Sequence, residues 1–343
     1  MRSFALVDQR KLEEVIMPDP PDPGPGEVLV KLYQVGICGS DMHWYLDGGI
    51  GHTKAVYPQV LGHEPAGEII AVGKGVHHRK VGDRVSIEPS ITCGHCEYCL
   101  RGQHNNCIHC VFLGSSGMPG LFREYATIPE HNADPVPDNL TWTQATLIEP
   151  VAVIVHIMEL VHINVGDTVA VMGSGPIGML CASMAKLSGA SRVFLCDKLP
   201  HRLAIAEKMG AERTVLVDRM EELVMDETRG RGVDLVLDAA AAKQTINMGI
   251  RITRPGGTYM LIGIPTEEQL DIDIQTAMSK EILIRTLKRS NHKGVAATRL
   301  LAEKRVSDAL VTHVLPFDQT ARGFELLADY SDGVGKVIIE VAR

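Results

Sequence analysis

The chain has 343 residues and a net charge of −8, and 45% of its residues are hydrophobic but only 4% are aromatic. That length suffices for about two domains, and the acidic balance disfavours nucleic acid or a membrane surface as the partner, because both attract a basic face. The first residues lack a signal-peptide pattern, and no run of about 18 apolar residues predicts a transmembrane helix. We therefore expect a cytoplasmic globular protein with reduced thiols.

Short strand patterns fill the first part of the chain. The segments GEVLVKLYQVGIC, AGEIIAVG and GDRVSIEP place β-branched residues between glycine and proline turn signals. This pattern is typical of an antiparallel barrel or sandwich. Long helical periodicity is hard to find before about residue 140, so this part is predicted to be β-rich.

A second set of ligand-type residues lies in the β-rich part, with Cys38 in GICGSDMHW, His63 and Glu64 in VLGHEPAG, and Glu149 in LIEPVAV. A cysteine, a histidine and a carboxylate, with one position left for water or substrate, are the ligands of a catalytic zinc. Such a metal would polarise a hydroxyl oxygen. The alternatives are a space-filling Cys38, an ordinary histidine at 63 and buried carboxylates paired with cations.

Four further cysteines, Cys93, Cys96, Cys99 and Cys107, follow in one stretch with the spacing C-x2-C-x2-C-x7-C. Thiolates at this spacing can converge on one Zn²⁺ ion, which prefers soft ligands and tetrahedral geometry. Disulfides are the alternative, but reduced intracellular chains seldom keep them. Because four protein ligands leave no open position, we expect a structural zinc here and the chemistry elsewhere.

The second part of the chain alternates strand and helix patterns, which predicts βαβ units and a parallel sheet with helices on both faces. After the strand TVAVM, the sequence GSGPIG matches the G-x-G-x-x-G fingerprint, whose glycines allow a tight turn and close approach of a pyrophosphate. The helix that follows would offer free N–H groups to the phosphates. The candidate cofactor residues of this turn are Gly173, Gly175, Pro176, Ile177 and Gly178.

Asp197 ends the next strand, RVFLCD, about 20 residues beyond the fingerprint. A carboxylate there can accept hydrogen bonds from the ribose hydroxyls and repel a 2′-phosphate, so NAD is favoured over NADP. Lys198 weakens this preference a little, because a cation could help to hold a phosphate. A plain glycine turn, with Asp197 as a solvated or helix-capping residue, is the alternative.

Together these motifs resemble the zinc-dependent medium-chain alcohol dehydrogenases over essentially the full chain. GxCGSD, P-x-VLGHE-x-x-G, VGDRV, the four-cysteine stretch, IEP and the glycine fingerprint occur in the family's order. The resemblance implies an α/β protein with a GroES-like β-rich catalytic domain over 1–151, a doubly wound Rossmann NAD-binding domain over 152–288, and a return to the catalytic domain over 289–343. It also implies two zinc ions per chain, NAD, and a homo-oligomer, either a dimer or a tetramer.

The resemblance also assigns roles to single residues. Cys38 and His63 would bind the catalytic zinc, and Ser40 and His43 would relay the alcohol proton towards solvent. A serine hydroxyl can bridge to a bound alcohol, and histidine titrates near neutrality. In the polyol branch Glu64 would be the direct third ligand, while Glu149 would act through water or approach the metal during turnover.

The substrate class rests on the stretch HWYLDGGIGHTKAVYPQVLGHE, which resembles the sorbitol, or polyol, dehydrogenases. We therefore expect oxidation of a secondary hydroxyl of a sorbitol- or xylitol-like polyol to a ketose. A 2,3-butanediol-type or threonine-type dehydrogenase and a non-catalytic zinc-binding scaffold are the alternatives. Sorbitol dehydrogenases carry a phenylalanine-arginine-tyrosine segment where this chain has LKRSNH. Lys288 or Arg289 would then bind several hydroxyls, or a carboxylate if the substrate is a sugar acid, or both are surface cations. Tyr45 would line the pocket or simply pack.

Overall fold

The structure, a computed structural model, describes residues 1–342 and divides them into two compact units. Unit 1 comprises residues 1–155, 289–305 and the residues from 311 onward, and unit 2 comprises 156–288 and 306–310. The sequence predicted divisions at 151/152 and 288/289. The first division falls at 155/156, within a helix, and the short segment 306–310 groups with unit 2.

The chain forms twenty strands and eleven α-helices within the described residues. In chain order the strands are β1 (Arg2–Asp8), β2 (Lys11–Ile16), β3 (Glu27–Gly36), β4 (Gly49–Ile50), β5 (Thr53–Lys54), β6 (Gln59–Val60), β7 (Glu64–Val72), β8 (Arg84–Ile87), β9 (Ser90–Ile91), β10 (Val111–Phe112), β11 (Tyr125–Pro129), β12 (Ala133–Pro135), β13 (Thr168–Met172), β14 (Arg192–Asp197), β15 (Arg213–Leu216), β16 (Val233–Asp238), β17 (Thr253–Leu261), β18 (Leu283–Thr286), β19 (Val311–Pro316) and β20 (Lys336–Glu340). The helices are α1 (Gly39–Asp47), α2 (Glu97–Leu100), α3 (Trp142–Thr146), α4 (Ile148–Leu160), α5 (Pro176–Leu187), α6 (Pro200–Lys208), α7 (Met220–Glu227), α8 (Lys243–Ile252), α9 (Ile274–Ser279), α10 (Gly294–Ala302) and α11 (Thr320–Asp329).

Unit 1 is built on a seven-stranded sheet with the order β12-β8-β7-β3-β20-β19, in which β11 also pairs with β3. Buried and half-buried residues alternate along most of strand β3, because successive side chains of a strand point to opposite faces. Its residues Val28, Val30 and Leu32 are fully buried in a core that also contains Phe122 and Phe324. The predicted β-rich character of this part is confirmed.

Strand pairing brings three distant segments together at one end of this sheet. Gly36, the last residue of β3, pairs with Glu64 at the start of β7 on one side and with Ile338 of β20 on the other. The chain leaves β3 through Ile37 and Cys38 and then enters helix α1. Three of the predicted metal ligands therefore meet at this end of the sheet, with Cys38 and His63 just beyond the strands and Glu64 at the start of β7.

Unit 2 is a six-stranded parallel sheet with the order β15-β14-β13-β16-β17-β18. This is the doubly wound order of a dinucleotide-binding fold, in which the first strand stands at the centre. All five residues of β13 are buried, as expected for a parallel strand covered on both faces. The predicted fold class is confirmed. None of the helices between residues 1 and 342 has the length and apolar character of a membrane span.

Candidate metal and cofactor sites

The four-cysteine lobe, residues 93–107, brings its thiols together as the spacing predicts. Helix α2 carries Cys99, and its Sγ lies 3.5 Å from Cys96 Sγ and 4.0 Å from Cys93 Sγ. Cys107 Sγ lies 3.6 Å from Cys93 Sγ, and all four are free thiols within 4.8 Å of one another. Four converging sulfurs with no other donor type fit a closed tetrahedral zinc site.

Backbone N–H groups support the sulfur cluster of this lobe. The Cys96 N–H donates to Cys93 Sγ at 3.4 Å, and the Cys93 N–H donates to Cys107 Sγ at 3.5 Å. Such donors stabilise thiolates, which are the metal-binding form of cysteine. These short-range contacts therefore preorganise the sulfurs of the lobe for a metal.

A second cluster lies at the end of the seven-stranded sheet. Cys38, His63 and Glu64 each offer a ligand atom, and these atoms lie within 4.8 Å of one another. His63 and Glu64 are buried and Cys38 is half-buried. A thiol, an imidazole and a carboxylate are borderline-soft ligands that suit zinc, and three protein ligands leave a position for substrate. The residues present therefore fit a catalytic zinc.

Asp41 is the residue that orients this second cluster. It is fully buried in the first turn of α1, and its Oδ2 accepts the Cys38 N–H at 2.9 Å, which caps the helix. Its Oδ1 accepts the Gly62 N–H at 3.0 Å and lies 3.4 Å from His63 Nδ1. Burial raises the pKa of Asp41, but the charge of His63 and these N–H donors hold it below its usual value. Asp41 holds the Nδ1 side of the His63 ring and so turns Nε2 towards the cluster, where a bound metal would replace the Nε2 proton.

A buried lysine completes the surroundings of Glu64. The Lys336 ammonium, at the start of β20, forms an ion pair with Glu64, and the two side chains are only 2% and 1% exposed. Lys336 Nζ also donates to the Ile37 carbonyl at 2.9 Å. Burial lowers the pKa of Lys336, but Glu64 and Cys38 raise it above its usual value. Gly36 makes room for this pair, because a Cβ there would collide with the Glu64 carboxylate. The sequence reasoning missed Lys336, and no local motif marks it.

Glu149 lies in the first turn of α4 and is buried beside the same cluster. Burial and, to a smaller extent, the charge of Glu64 raise the pKa of Glu149 to about 8, although the charge of His63 opposes this shift. Among the described residues, its oxygens are not within the mutual ligand distance of the other three. The geometry therefore groups Glu64 with Cys38 and His63, while direct metal binding by Glu149 stays a prediction.

Ser40 and His43, the predicted relay residues, lie three residues apart on α1. The Ser40 hydroxyl is 3.2 Å from His63 Nε2, so it stands beside the metal-binding nitrogen. His43 Nδ1 lies 2.8 Å from Asp47 Oδ2, one turn further along the helix. Side chains at this spacing share one face of a helix, and His43 is partly exposed.

The three predicted substrate residues have different surroundings. The Arg289 guanidinium lies 4.1 Å from the centre of the Phe112 ring, and that ring centre lies 5.2 Å from the centre of the His63 ring. Lys288 is exposed. Tyr45 is buried in the core, with its ring 5.3 Å from Phe324. Arg289 is thus separated from His63 by one aromatic ring, and substrate contact by Arg289, Lys288 or Tyr45 stays a prediction.

The glycine turn of unit 2 has the backbone that its motif predicts. Gly173 has a φ of 92°, which favours glycine, and a Cβ on Gly178 would collide with the Gly173 carbonyl oxygen. Gly175 caps α5, which begins at Pro176. The N-terminus of this twelve-residue helix leaves N–H groups available to phosphate oxygens.

Asp197 ties this turn to the next strand. Its Oδ2 accepts the Ser174 N–H at 2.6 Å, and its Oδ1 accepts the Leu199 N–H at 2.9 Å. Each carboxylate oxygen has a second lone pair that can accept a ribose hydroxyl. Lys198 is exposed. The arrangement can hold a dinucleotide through its ribose and its pyrophosphate.

Two zinc-type clusters in a β-rich unit and a dinucleotide-binding unit define a zinc- and nicotinamide-dependent dehydrogenase. Residues 24–138 match the model of the alcohol dehydrogenase GroES-like domain, and residues 176–303 match that of the zinc-binding dehydrogenases. The chain belongs to the zinc-dependent alcohol dehydrogenase family. The predicted family and enzyme class are confirmed.

Similar proteins cover almost the whole chain. It is 34% identical to the sorbitol dehydrogenase of Bacillus subtilis, over 99% of this chain and 97% of that protein. It is 36% identical to a probable D-xylulose reductase A of Arthroderma otae, over 94% of this chain and 93% of that protein. An alcohol dehydrogenase of Escherichia coli CFT073, solved with NADH, superposes with a TM-score of 0.89 at 30% identity, over 99% of both chains.

Proposed function

We propose that the protein is an NAD-dependent dehydrogenase that oxidises a secondary hydroxyl of a sorbitol- or xylitol-like polyol to a ketose. The observation that carries the proposal is the placement of the Arg289 guanidinium one aromatic ring away from His63 of the zinc-type cluster. The names of the two similar proteins, a sorbitol dehydrogenase and a probable xylulose reductase, support a polyol substrate.

Cys38, His63 and Glu64 would hold the catalytic metal, and Cys93, Cys96, Cys99 and Cys107 a structural one. When bound, the zinc ion supplies a Lewis acid for the hydroxyl oxygen, and NAD accepts the hydride. Asp41 keeps the His63 ring in one tautomer and orientation. Lys336 lies against Glu64 and balances the charge of this buried carboxylate.

The proton leaves the substrate hydroxyl by way of Ser40 and His43. The Ser40 hydroxyl accepts it, because Ser40 Oγ lies beside His63 Nε2. Asp47 accepts a hydrogen bond from His43 Nδ1, which leaves His43 Nε2 as the base that takes the proton towards solvent. Asp47 thus gives His43 the tautomer that this role requires.

Arg289 explains why a polyol suits the site better than a simple alcohol. A guanidinium carries five N–H donors in a fixed fork, so it can bind two neighbouring hydroxyls together. The Phe112 ring lies against the guanidinium and fixes the plane of this fork.

NAD is proposed as the cofactor because Asp197 occupies the ribose position next to the glycine turn. A buried carboxylate repels the 2′-phosphate of NADP.

We also propose a cytoplasmic homo-oligomer, a dimer or a tetramer. The eight cysteines are all free thiols, as expected in a reducing compartment. Strand β18 is an edge of the parallel sheet and exposes Leu283, with Met278 of α9 also exposed. A second copy would cover this apolar edge.

The test of the proposed function is a survey of NAD and NADP reduction with sorbitol, xylitol, 2,3-butanediol and threonine, combined with metal analysis. We expect the highest kcat/KM with a polyol and NAD, and two zinc ions per chain. A higher kcat/KM with butanediol or threonine would overturn the substrate class. Full activity after exhaustive chelation, with one zinc left per chain, would overturn the metal-dependent reaction.

A further inference from the structure

We propose that Asn291 is a positioning residue that ties the segment 289–292 to the four-cysteine lobe and thereby holds Arg289 against the substrate. The inference rests on the proposed function, because it gives Arg289 its substrate role. It assigns the lobe a second task, the selection of substrates with several hydroxyls, in addition to stabilising the fold.

The Asn291 side chain uses both ends of its amide on the lobe. Its Oδ1 accepts the N–H groups of His104 at 2.9 Å and Asn105 at 3.4 Å. Its Nδ2 donates to the Gly102 carbonyl at 2.9 Å. These three bonds join positions almost 190 residues apart in the chain, since Asn291 and Gly102 are separated by 189. One amide therefore connects the backbone of the lobe to the segment that carries Arg289.

The backbone of this segment requires such a support. Arg289 has a φ of 58° and His292 a φ of 53°, so two residues with side chains are in the left-handed region. Residues that are not glycine occupy this region only where their surroundings hold them there. Ser290 is buried between them, and its Oγ accepts the Lys293 N–H at 3.3 Å. The segment is thus held in an unfavourable conformation that sets the direction of Arg289.

A second contact reinforces the attachment. The imidazole rings of His104 and His292 lie 4.7 Å apart at an angle of 35°. The contacts of His292 and Asn291 therefore lie on the same part of the lobe, just before its last cysteine, Cys107.

The Arg289 side chain connects the attached segment to the Cys38, His63 and Glu64 cluster through Phe112. Its Nη1 lies 3.4 Å from Cys110 Sγ, three residues beyond the lobe, and its guanidinium covers the Phe112 ring. Phe112 in turn contacts the His63 ring. The positive charge of Arg289 also opposes the rise that burial causes in the pKa of Glu88. A small shift of residues 289–292 would move the guanidinium off the ring and away from the substrate hydroxyls.

The experiment compares Asn291→Ala with the unaltered enzyme for two substrates, sorbitol and 2-propanol, which lacks further hydroxyls. We expect N291A to raise the KM for sorbitol by about tenfold. The KM for 2-propanol should not change, and the variant should still contain two zinc ions per chain. Asn291→Asp keeps the two acceptor contacts and should show a smaller rise. Asn139→Ala, which removes a hydrogen bond from an exposed side chain to the Ala302 carbonyl, is the matched control and should change neither KM.

Two measurements separate positioning from a general loss of structure. When Arg289→Ala is already present, adding N291A should have no further effect on the sorbitol KM, because the guanidinium that Asn291 positions has been removed. Hydrogen exchange at the His104 and Asn105 amides should be faster in N291A than in the unaltered enzyme, because both amides lose their acceptor. This measurement requires no substrate. Equal rises in both KM values, a loss of zinc from N291A, or additive effects of the two substitutions would overturn the inference.

The outcomes also distinguish the inference from the proposed function. If the unaltered enzyme oxidises no polyol, the proposed function falls, and the substrate role of Asn291 falls with it. If the unaltered enzyme oxidises sorbitol and N291A has the same sorbitol KM, the inference alone is wrong.

Discussion

The two metal clusters of unit 1 use similar ligands but are assembled in different ways. The four-cysteine lobe draws all its sulfurs from one short stretch, and its supporting N–H donors come from the same stretch. The second cluster takes Cys38 from beyond β3, His63 and Glu64 from the start of β7, and the counter-charge of Glu64 from β20. The lobe thus depends mainly on contacts within one short stretch, whereas the second cluster depends on the pairing of distant strands of the sheet.

The largest expected effect concerns chemistry at the second cluster. Cys38→Ser removes the soft ligand, so NAD-linked polyol oxidation should fall by about 10³-fold or more, the loss of several kcal/mol of Lewis-acid stabilisation. Metal content should fall from two ions to one per chain, while the glycine turn keeps its affinity for NAD. Metal analysis and steady-state kinetics check this prediction, and retained oxidation would refute the ligand role of Cys38.

The next effect tests whether the second cluster belongs to the core. Lys336→Met leaves Glu64 buried without its counter-ion, and should lower the free energy of unfolding of the metal-free protein by about 3 kcal/mol. Urea denaturation after chelation measures this change. Adding Glu64→Gln should restore part of the loss, because the uncompensated charge is removed.

An exposed ion pair supplies the control for Lys336. Lys243 and Asp271 form a pair with side chains 64% and 85% exposed. Lys243→Met should therefore change the free energy of unfolding by less than about 1 kcal/mol. If the two variants lose the same free energy of unfolding, burial of the Lys336–Glu64 pair does not increase its contribution to stability.

A smaller effect is expected at the lobe. Cys99→Ser should remove the thiolate-bound metal and destabilise unit 1 by about 2 kcal/mol. Oxidation of 2-propanol should continue with an almost unchanged kcat, because Cys38, His63 and Glu64 are intact. Thermal unfolding and the zinc content check both parts. A stable variant that no longer oxidises 2-propanol would contradict the division of roles between the clusters.

The smallest effect is a dependence of stability on pH at the lobe attachment. Burial and the nearby His104 and His131 lower the pKa of His292 to about 4. In the unfolded chain it titrates near about 6.5, so between these values the unfolded state binds more protons. The stability from neutral His292 is therefore full above about pH 6.5 and is lost as the pH falls towards about 4.

His292→Gln removes this titrating group. Urea midpoints between pH 6.5 and pH 4 should fall less steeply in the variant than in the unaltered protein. Parallel pH profiles of the two proteins would show that His292 does not contribute.

The contrast between the clusters also explains what the sequence could predict. The cysteine spacing predicts that four thiols lie together, and the G-x-G-x-x-G motif predicts the backbone geometry of its turn. Both predictions depend on contacts between residues that are close in the chain. The strand and helix alternation likewise predicts the parallel sheet of unit 2. These features need no knowledge of how distant segments pair.

Long-range contacts account for what the sequence did not reveal. Lys336 reaches Glu64 only because β20 pairs with β3, and Asn291 reaches Gly102 of the lobe across 189 positions of the chain. Phe112 joins Arg289 to His63 although no motif marks it as a site residue. Helix packing places Tyr45 against Phe324, which amphipathic spacing alone cannot distinguish from a pocket position.

The hydrogen bond from Lys336 to Ile37 spans 299 positions, whereas Cys93 and Cys107 are 14 apart. Loop closure over so few residues is fast, and contacts between remote segments form late. We therefore expect the two ions to be acquired at different times during biosynthesis, the first by a partly folded polypeptide and the second after the sheet has closed. Zinc shortage during growth should then yield protein that is folded and singly loaded, and that gains activity when zinc is supplied afterwards.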